Sequence, residues 1–184
     1  MNKTMTKRFY LTGFMTSGKS TIGPILANVL GWDFYDLDKS IEEEYNKTIV
    51  EIFDEFGEEK FRKIENEFLT RYSKLDEVVI ALGGGTIASD ENIELMQKTG
   101  KIIYLRATPE MIYKRIKNKT DRPLFRDLVL SGNKPEDFIK RITDLLSKRE
   151  KYYNKADIIL DTDNRPVGIT VDKLAKLVKR YIYE

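Results

Sequence analysis

The sequence contains no cysteine and no histidine. Their absence excludes disulfides, thiolate nucleophiles, histidine general bases and zinc sites of the usual nitrogen and sulfur type. The groups that remain for chemistry are carboxylates, ammonium and guanidinium groups, hydroxyls and backbone amides. Phosphoryl transfer needs little else, because its catalysis consists mostly of positioning and of charge stabilisation around Mg²⁺.

The chain also lacks a large excess of charge of one sign and a long apolar run. Its 32 basic and 30 acidic residues leave a net charge of +2, which disfavours a nucleic-acid-binding protein. No stretch approaches the roughly 18 apolar residues of a membrane span, and no signal peptide is visible. We therefore predict a soluble cytoplasmic protein with neither membrane nor nucleic acid as partner and, without a coiled-coil pattern, a monomer.

Short apolar runs alternate with longer segments of helical period. The 184 residues fit a single domain over 1–184. Strands are predicted at Arg8 to Thr12, Trp32 to Asp36, Val78 to Leu82, Lys101 to Arg106 and Ile158 to Leu160. Helices are predicted at Thr21 to Leu30, from Thr108-Pro109 onward and at Val171 to Ile182. This alternation predicts an α/β fold whose five-stranded parallel sheet is covered by helices on both faces.

Two regions interrupt the alternation. Lys39 to Tyr72 has a mostly helical pattern, and we predict a helical insertion over about 37–72, between the second and third strands. Lys117 to Pro135 is charged and contains Asp121-Arg122-Pro123. This segment is predicted to be a surface loop that serves as a lid over about 117–134.

The segment Gly13-Phe14-Met15-Thr16-Ser17-Gly18-Lys19-Ser20 matches the P-loop pattern G-x-x-x-x-G-K-[ST] and lies between a predicted strand and a predicted helix. The glycines allow successive backbone N–H groups to face phosphates. Lys19 is placed to reach the β- and γ-phosphates, and the Ser20 hydroxyl is placed to ligate Mg²⁺. The following helix directs the positive end of its dipole at the anion. A glycine turn that binds nothing is the structural alternative.

Asp36 and Asp38 follow the second strand and are the best acidic partners for the P-loop. Residues two apart in an extended strand end project to one side, so both carboxylates would face the same site. One carboxylate would serve the magnesium shell, and the other would accept a hydrogen bond or a proton from the acceptor hydroxyl. The alternative makes Asp38 a helix N-cap and Asp36 a solvated turn residue.

Basic residues and glycines supply candidate acceptor contacts. Arg62 and Glu65 are neighbours on a predicted helix, and a guanidinium held by a carboxylate can grip a substrate carboxylate with two hydrogen bonds. Gly83-Gly84-Gly85 ends a buried strand, where ligands bind in open α/β sheets. Arg122 is a candidate arginine finger, and Arg149 lies on a helix that would line the pocket. A surface ion pair, a permissive turn and solvated charges are the structural alternatives.

Together these segments resemble the shikimate kinase family, in the right order and over nearly the whole chain. The P-loop followed by Thr21-Ile22-Gly23 is similar to the family's opening, and Asp36-Leu37-Asp38 resembles its D-x-D element. Phe61-Arg62-Lys63-Ile64-Glu65 resembles its F-R-x-x-E element. Ala81-Leu82-Gly83-Gly84-Gly85 resembles its glycine-triplet strand end, and Thr120-Asp121-Arg122-Pro123-Leu124 resembles its lid. The P-loop is shared widely among nucleotide enzymes, whereas the whole series is much more specific.

The resemblance implies a three-layer α/β/α P-loop NTPase fold and a role for each matching residue. Asp36 serves magnesium through water together with Ser20, and Asp38 contacts the acceptor hydroxyls. Arg62 and Arg149 bind the shikimate carboxylate, and Gly83, Gly84 and Gly85 pack against shikimate. The nucleotide contacts implied are Gly13, Met15, Thr16, Ser17, Gly18, Lys19, Ser20, Thr21, Arg115, Arg122 and Arg165. The catalytic residues implied are Lys19, Asp38 and Arg122.

Two nucleotide contacts come from softer matches, and one position departs from the family. Arg115 occupies the place of an arginine that stacks on adenine, and Arg165-Pro166 falls near the adenine loop. The family commonly has glycine where this chain has Thr16. A β-branched residue is poorly suited to unusual backbone angles.

The sequence therefore predicts a kinase that uses Mg²⁺ and ATP to phosphorylate the 3-hydroxyl of shikimate, giving shikimate 3-phosphate and ADP for aromatic amino-acid biosynthesis. One alternative is another P-loop small-molecule or nucleoside monophosphate kinase, whose pocket would recognise a phosphate or a base. The other is a non-catalytic regulator that binds nucleotide without turnover, and Thr16 is the feature that favours it.

Overall fold

The computed structural model describes residues 7–119, 123–163 and 165–183. The strands are β1 (Arg8–Thr12), β2 (Asp33–Asp36), β3 (Val78–Ala81), β4 (Lys101–Arg106) and β5 (Ile158–Asp161). The helices are α1 (Lys19–Leu30), α2 (Leu37–Tyr45), α3 (Ile49–Tyr72), α4 (Asp90–Thr99), α5 (Pro109–Ile116), α6 (Arg126–Leu130), α7 (Pro135–Tyr153) and α8 (Val167–Tyr183), with a short 3-10 helix at Pro123–Phe125.

The five strands form one parallel sheet in the order β2-β3-β1-β4-β5. Strand β1 is central, so the loop that follows it opens at the middle of the carboxyl edge, beside the loop that follows β3. Ligands bind at this edge in open α/β sheets. The predicted fold class is confirmed, and the topology places the candidate P-loop and the glycine triplet side by side.

The residues of β1 explain why helices cover both faces. Phe9 and Leu11 point to one face and pack with residues of α1 and α8, whereas Tyr10 points to the other face and packs with Met96 of α4. Successive side chains of a strand alternate between faces, so a strand that is apolar throughout needs cover on both. None of the helices in the described ranges has the length and apolar character that a membrane span would require.

The insertion consists of α2 and α3. Thr48 begins α3 with a capping box, in which its hydroxyl accepts a hydrogen bond from the Glu51 amide and the Glu51 carboxylate accepts one from the Thr48 amide. Gly57 interrupts the helical angles with φ 75°, so the second half of α3 takes its own direction. That second half carries Phe61, Ile64 and Phe68 into a separate apolar cluster.

Three sequence predictions need correction. Helix α4 was not predicted, although Ser89 marks its start by accepting a hydrogen bond from the Asn92 amide. Helix α8 begins at Val167, four residues before the predicted Val171. Part of the predicted lid loop is helical, and these turns bury Phe125 and Leu128 in an apolar cluster with Phe138 of α7.

Candidate active site

The loop from Gly13 to Ser20 connects the end of β1 to the start of α1. Gly13 has φ 152°, and a side chain there would lie 2.5 Å from Ser17 Oγ and 2.6 Å from the Leu105 carbonyl, so only glycine fits. Gly18 precedes α1 with φ 110°. Lys19 Nζ donates to the carbonyls of Gly13 (2.7 Å) and Phe14 (3.2 Å). A curled loop of amides at a helix N-terminus is an anion-binding arrangement.

Ser20 and Asp36 meet at the edge of this loop. Ser20 Oγ donates to Asp36 Oδ2 at 3.1 Å. Asp36 is also the N-cap of α2, since its side chain accepts from the Lys39 amide at 3.3 Å. The alternative that made Asp38 the cap is therefore wrong. The parallel sheet has brought together the two residues predicted as a magnesium pair.

Asp38 lies in the first turn of α2 and faces the glycine triplet. A methyl group on Gly83 would lie 2.5 Å from Asp38 Oδ1 and 2.8 Å from Glu65 Oε1, so both carboxylates crowd this glycine. The pKa of Asp38 is raised to about 7, first by burial and then by the Glu65 and Asp36 carboxylates, while the charge of Lys19 acts in the opposite direction. Asp38 is thus a carboxyl group that exchanges a proton near neutral pH.

Arg62 projects from α3 against Gly85. Its guanidinium pairs with Glu65 and, at 3.2 Å, with Glu58. Glu65 is only 1% exposed and also accepts a hydrogen bond from Thr86 Oγ1 at 2.7 Å. A side chain on Gly85 would lie 2.5 Å from Arg62 Nη1, so glycine is required for this approach.

Arg149 reaches the same region from α7. Its Nη1 donates to the Gly84 carbonyl at 2.6 Å, and its guanidinium lies 5.9 Å from the centre of the Phe14 ring in the P-loop. Arg62, Arg149 and Gly85 line one cleft of about 800 Å³. Two guanidinium groups in one cleft suit a ligand carboxylate, and Arg149 connects this cleft to Phe14 of the phosphate-binding loop.

Comparison with known proteins now places the chain. A family model described as shikimate kinase matches residues 15–179. The chain belongs to the shikimate kinase family. It is 43% identical to the shikimate kinase of Chlorobaculum parvum over 94% of this chain and 92% of that protein. The resemblance inferred from the sequence motifs is thereby confirmed.

Solved structures give the same result. The shikimate kinase of Bacteroides thetaiotaomicron matches with a TM-score of 0.84 and 33% identity, over 94% of this chain and 98% of that chain. A shikimate kinase from Acinetobacter baumannii, solved in complex with shikimate, matches with a TM-score of 0.85 and 30% identity, over 99% and 97%.

In this member of the shikimate kinase family, Arg62 pairs with Glu65, and Glu65 accepts a hydrogen bond from Thr86. Thr86 is in turn bonded to residues that the sequence motifs did not identify. Asn92 Nδ2 donates to the Thr86 carbonyl at 2.9 Å, and Asn66 Nδ2 donates to Asn92 Oδ1 at 2.8 Å. Thr86 directly follows the glycine triplet and Asn66 directly follows Glu65, so their positions next to predicted site residues could have identified them. No sign pointed to Asn92, because its helix was not predicted.

The remaining predicted nucleotide contacts lie around the P-loop or beyond it. Arg115, in the last turn of α5, donates to the carbonyls of Thr16 and Thr162. Met15 packs against the apolar cluster of Phe125 and Phe138. Thr21 and Arg165 are both exposed, in the first turn of α1 and in the loop after β5. Arg122 lies outside the described residues.

Thr16 adopts a backbone conformation that glycine favours. Its φ is 61°, in the left-handed region. Within the described residues its Oγ1 is buried and has no hydrogen-bond partner. The departure from the family's common glycine therefore has a structural cost, because a β-branched residue occupies a strained angle.

Thr16→Gly is expected to raise the free energy of unfolding by about 1 kcal/mol. The left-handed region costs an L-residue about 1–2 kcal/mol, and glycine returns part of this gain, about 0.5–1 kcal/mol, through its more flexible unfolded chain. Urea denaturation measures the difference. Asn46→Gly is the matched control: Asn46 has φ 49°, and asparagine tolerates this region, so we expect a change within about 0.5 kcal/mol. A less stable Thr16→Gly variant would contradict the strain.

Proposed function

We propose that this chain transfers the γ-phosphoryl group of ATP to the 3-hydroxyl of shikimate. The observation that carries the proposal is the position of Arg149, which contacts the Gly84 carbonyl and lies beside Phe14 of the P-loop. One side chain thus joins the acceptor cleft to the nucleotide loop. The complex of the Acinetobacter baumannii relative with shikimate supports this acceptor.

The acceptor is held by charge and shape. Arg62 and Arg149 bind its carboxylate with paired hydrogen bonds, which fix orientation as well as supplying affinity. Its hydroxyls lie against Asp38 and the backbone of Gly84 and Gly85. Because the charge of Lys19 acts on Asp38, whereas Arg62 belongs to α3 of the insertion, we expect the acceptor's hydroxyl side to face the nucleotide and its carboxylate to face the insertion.

The nucleotide phosphates are bound by the loop from Gly13 to Ser20. Ser20 Oγ and Asp36 Oδ2 lie 3.1 Å apart, and this pair of oxygen ligands suits Mg²⁺. Two protein ligands are enough, because Mg²⁺ is usually held by few protein ligands together with phosphates and water. When bound, the metal neutralises charge on the β- and γ-phosphates.

Transfer requires a proton acceptor and charge stabilisation. As the bond from the 3-oxygen to the γ-phosphorus forms and the bond to the β,γ-bridging oxygen breaks, Asp38 takes the hydroxyl proton, since a pKa of about 7 suits a general base at neutral pH. Lys19 stabilises the charge that develops on the phosphates. We assign the same role to Arg122, which belongs to the predicted lid over about 117–134. Closure of this lid would exclude water from the site.

We further propose that residues 1–184 act as one kinase domain and as a monomer, with the insertion over about 37–72 as the acceptor-binding part. The separate apolar cluster of α2 and α3 supports an insertion that folds against its own core. Light scattering is expected to give the mass of one chain, and a dimer mass would contradict the monomer.

Release of ADP from Mg²⁺–ATP is expected to depend on shikimate. Gluconate and a nucleoside monophosphate are the comparison acceptors, because they represent other small-molecule kinases. We expect release with shikimate to exceed release with either by at least about 100-fold, since a cleft built for one pattern of polar groups leaves buried groups unpaired with another. Turnover with a monophosphate instead, or nucleotide binding without any turnover, would contradict the proposed acceptor.

A further inference from the structure

The guanidinium of Arg115 joins three segments of the nucleotide site. Its Nη1 donates to the Thr16 carbonyl at 2.7 Å, and its Nη2 donates to the Thr162 carbonyl at 3.3 Å. Arg115 lies at the end of α5, Thr16 is in the P-loop, and Thr162 directly follows β5. Two hydrogen bonds from one planar group fix the orientation of its plane, and they connect the P-loop to the segment that follows the edge strand β5.

The residue that receives the shorter bond is the strained one. Thr16 has φ 61°, an angle that a β-branched residue leaves readily unless its surroundings hold it. A hydrogen bond from a charged donor to a carbonyl is stronger than one between neutral groups. The bond therefore acts on the point of the loop that is most inclined to relax.

We infer that Arg115 is a positioning residue that, through the Thr16 carbonyl, holds the P-loop in the shape that binds the triphosphate. This role rests on the proposed nucleotide site and is separate from stacking on adenine, which the family resemblance implies. Stacking acts on the base, whereas the bond to Thr16 acts on the phosphates. A glycine at position 16 adopts the same angle without support, so the need for this bond follows from the threonine of this chain.

Binding of Mg²⁺–tripolyphosphate measures this role, because tripolyphosphate has no base to stack. Calorimetry is carried out on the full-length wild type, Arg115→Lys, Thr16→Gly and the double variant. Lysine keeps the positive charge but cannot donate to two carbonyls in the fixed geometry of a guanidinium. We expect Arg115→Lys to weaken binding about tenfold, as for the loss of one charged hydrogen bond.

In the Thr16→Gly background, Arg115→Lys is expected to weaken tripolyphosphate binding only about twofold, because glycine holds the angle unaided. Arg180→Lys is the matched control, since Arg180 is exposed in the last turn of α8 and is not among the predicted site residues. It is expected to leave tripolyphosphate binding unchanged. Thermal unfolding of each variant verifies that the fold is intact.

Two results would overturn the inference. In the first, Arg115→Lys weakens ATP binding but leaves tripolyphosphate binding unchanged, which would restrict Arg115 to the base. In the second, Arg115→Lys has the same effect in both backgrounds, so that it does not act through Thr16. Neither measurement involves an acceptor, so both results would leave the shikimate assignment intact. Failure of the wild type to bind ATP would contradict the proposed function itself.

Discussion

Asp38→Asn is expected to lower kcat for shikimate-dependent ADP release about 10²–10⁴-fold, the usual effect of removing a general base. The amide keeps the size of the side chain and the fold of α2, but it cannot accept a proton. The Michaelis constant for ATP is expected to change little, because the Asp38 carboxylate lies against Gly83 of the glycine triplet. Steady-state kinetics with varied ATP and varied shikimate separate the two effects.

The same substitution is expected to stabilise the free protein above neutral pH, by about 1–3 kcal/mol. Burial and the nearby Glu65 and Asp36 carboxylates raise the folded-state pKa of Asp38 to about 7, whereas the unfolded chain has the ordinary value near 4. Between about pH 4 and pH 7 the unfolded chain ionises while the folded protein retains the proton, so ionisation favours unfolding and wild-type stability falls as pH rises. Above about pH 7 both states are ionised and the penalty is constant. Asparagine carries none of it.

Urea unfolding of both proteins at about pH 5 and about pH 8 tests this sign, because the advantage of Asp38→Asn must be larger at the higher pH. Asp33→Asn is the matched control, since Asp33 is exposed at the other end of β2. Its stability difference is expected to stay within about 0.5 kcal/mol at both pH values. An Asp38→Asn variant that keeps more than a tenth of wild-type turnover would contradict the role of Asp38 as a base. An Asp38→Asn variant that is less stable than the wild type at high pH would contradict the cost of ionising this partly buried carboxyl group.

Arg62→Ala is expected to raise the Michaelis constant for shikimate about 100-fold, because the substitution removes the cation that is proposed to pair with the shikimate carboxylate. Removing one partner of such a charge pair costs about 2–5 kcal/mol. The Michaelis constant for ATP is expected to stay within about twofold, since Arg62 contacts Gly85 and the insertion and lies away from the P-loop. Kinetics with each substrate varied in turn measure both constants.

The variant also leaves Glu65, which is 1% exposed, without its cation. An uncompensated buried charge costs about 3–5 kcal/mol, so the single variant will be less stable. Arg62→Ala with Glu65→Gln removes that charge and is expected to recover stability without recovering affinity for shikimate. Arg71→Ala on the same helix is the control, because its pair with Glu44 is exposed and screened by solvent, so its loss is expected to change stability little. A Michaelis constant for shikimate that is the same in the double variant as in the wild type would show that Arg62 does not bind the carboxylate of the acceptor.

Local sequence patterns determined the parts of the molecule that are formed by neighbouring residues. The apolar run Phe9-Tyr10-Leu11 predicted a strand, and the alternation of such strands with helices predicted a sheet covered on both faces. The glycines around Lys19 predicted a phosphate-binding turn before a helix. Both patterns work because the periods of strands and helices are fixed by backbone geometry. Order and spacing of the motifs also indicated the family before any contact was known.

The contacts across the site depended on the tertiary structure. Arg149 meets the Gly84 carbonyl from 65 positions away, and Arg115 meets the Thr16 carbonyl from 99 positions away. Sequence patterns do not encode such pairs, because they depend on strand order and on how each helix packs across the sheet. For the same reason the link from Asn92 through Thr86 to Glu65 was not predicted.

Thr16 shows the division between the two levels. The sequence determined that a threonine stands where the family commonly has glycine, and the physical chemistry of a β-branched residue made that position suspect. Only the tertiary structure decided that its φ is 61° and that Arg115 holds its carbonyl. The sequence alone determined the residue types and their local geometry, whereas packing decided which distant groups meet, because strained angles and buried charges persist only where other segments of the chain hold them.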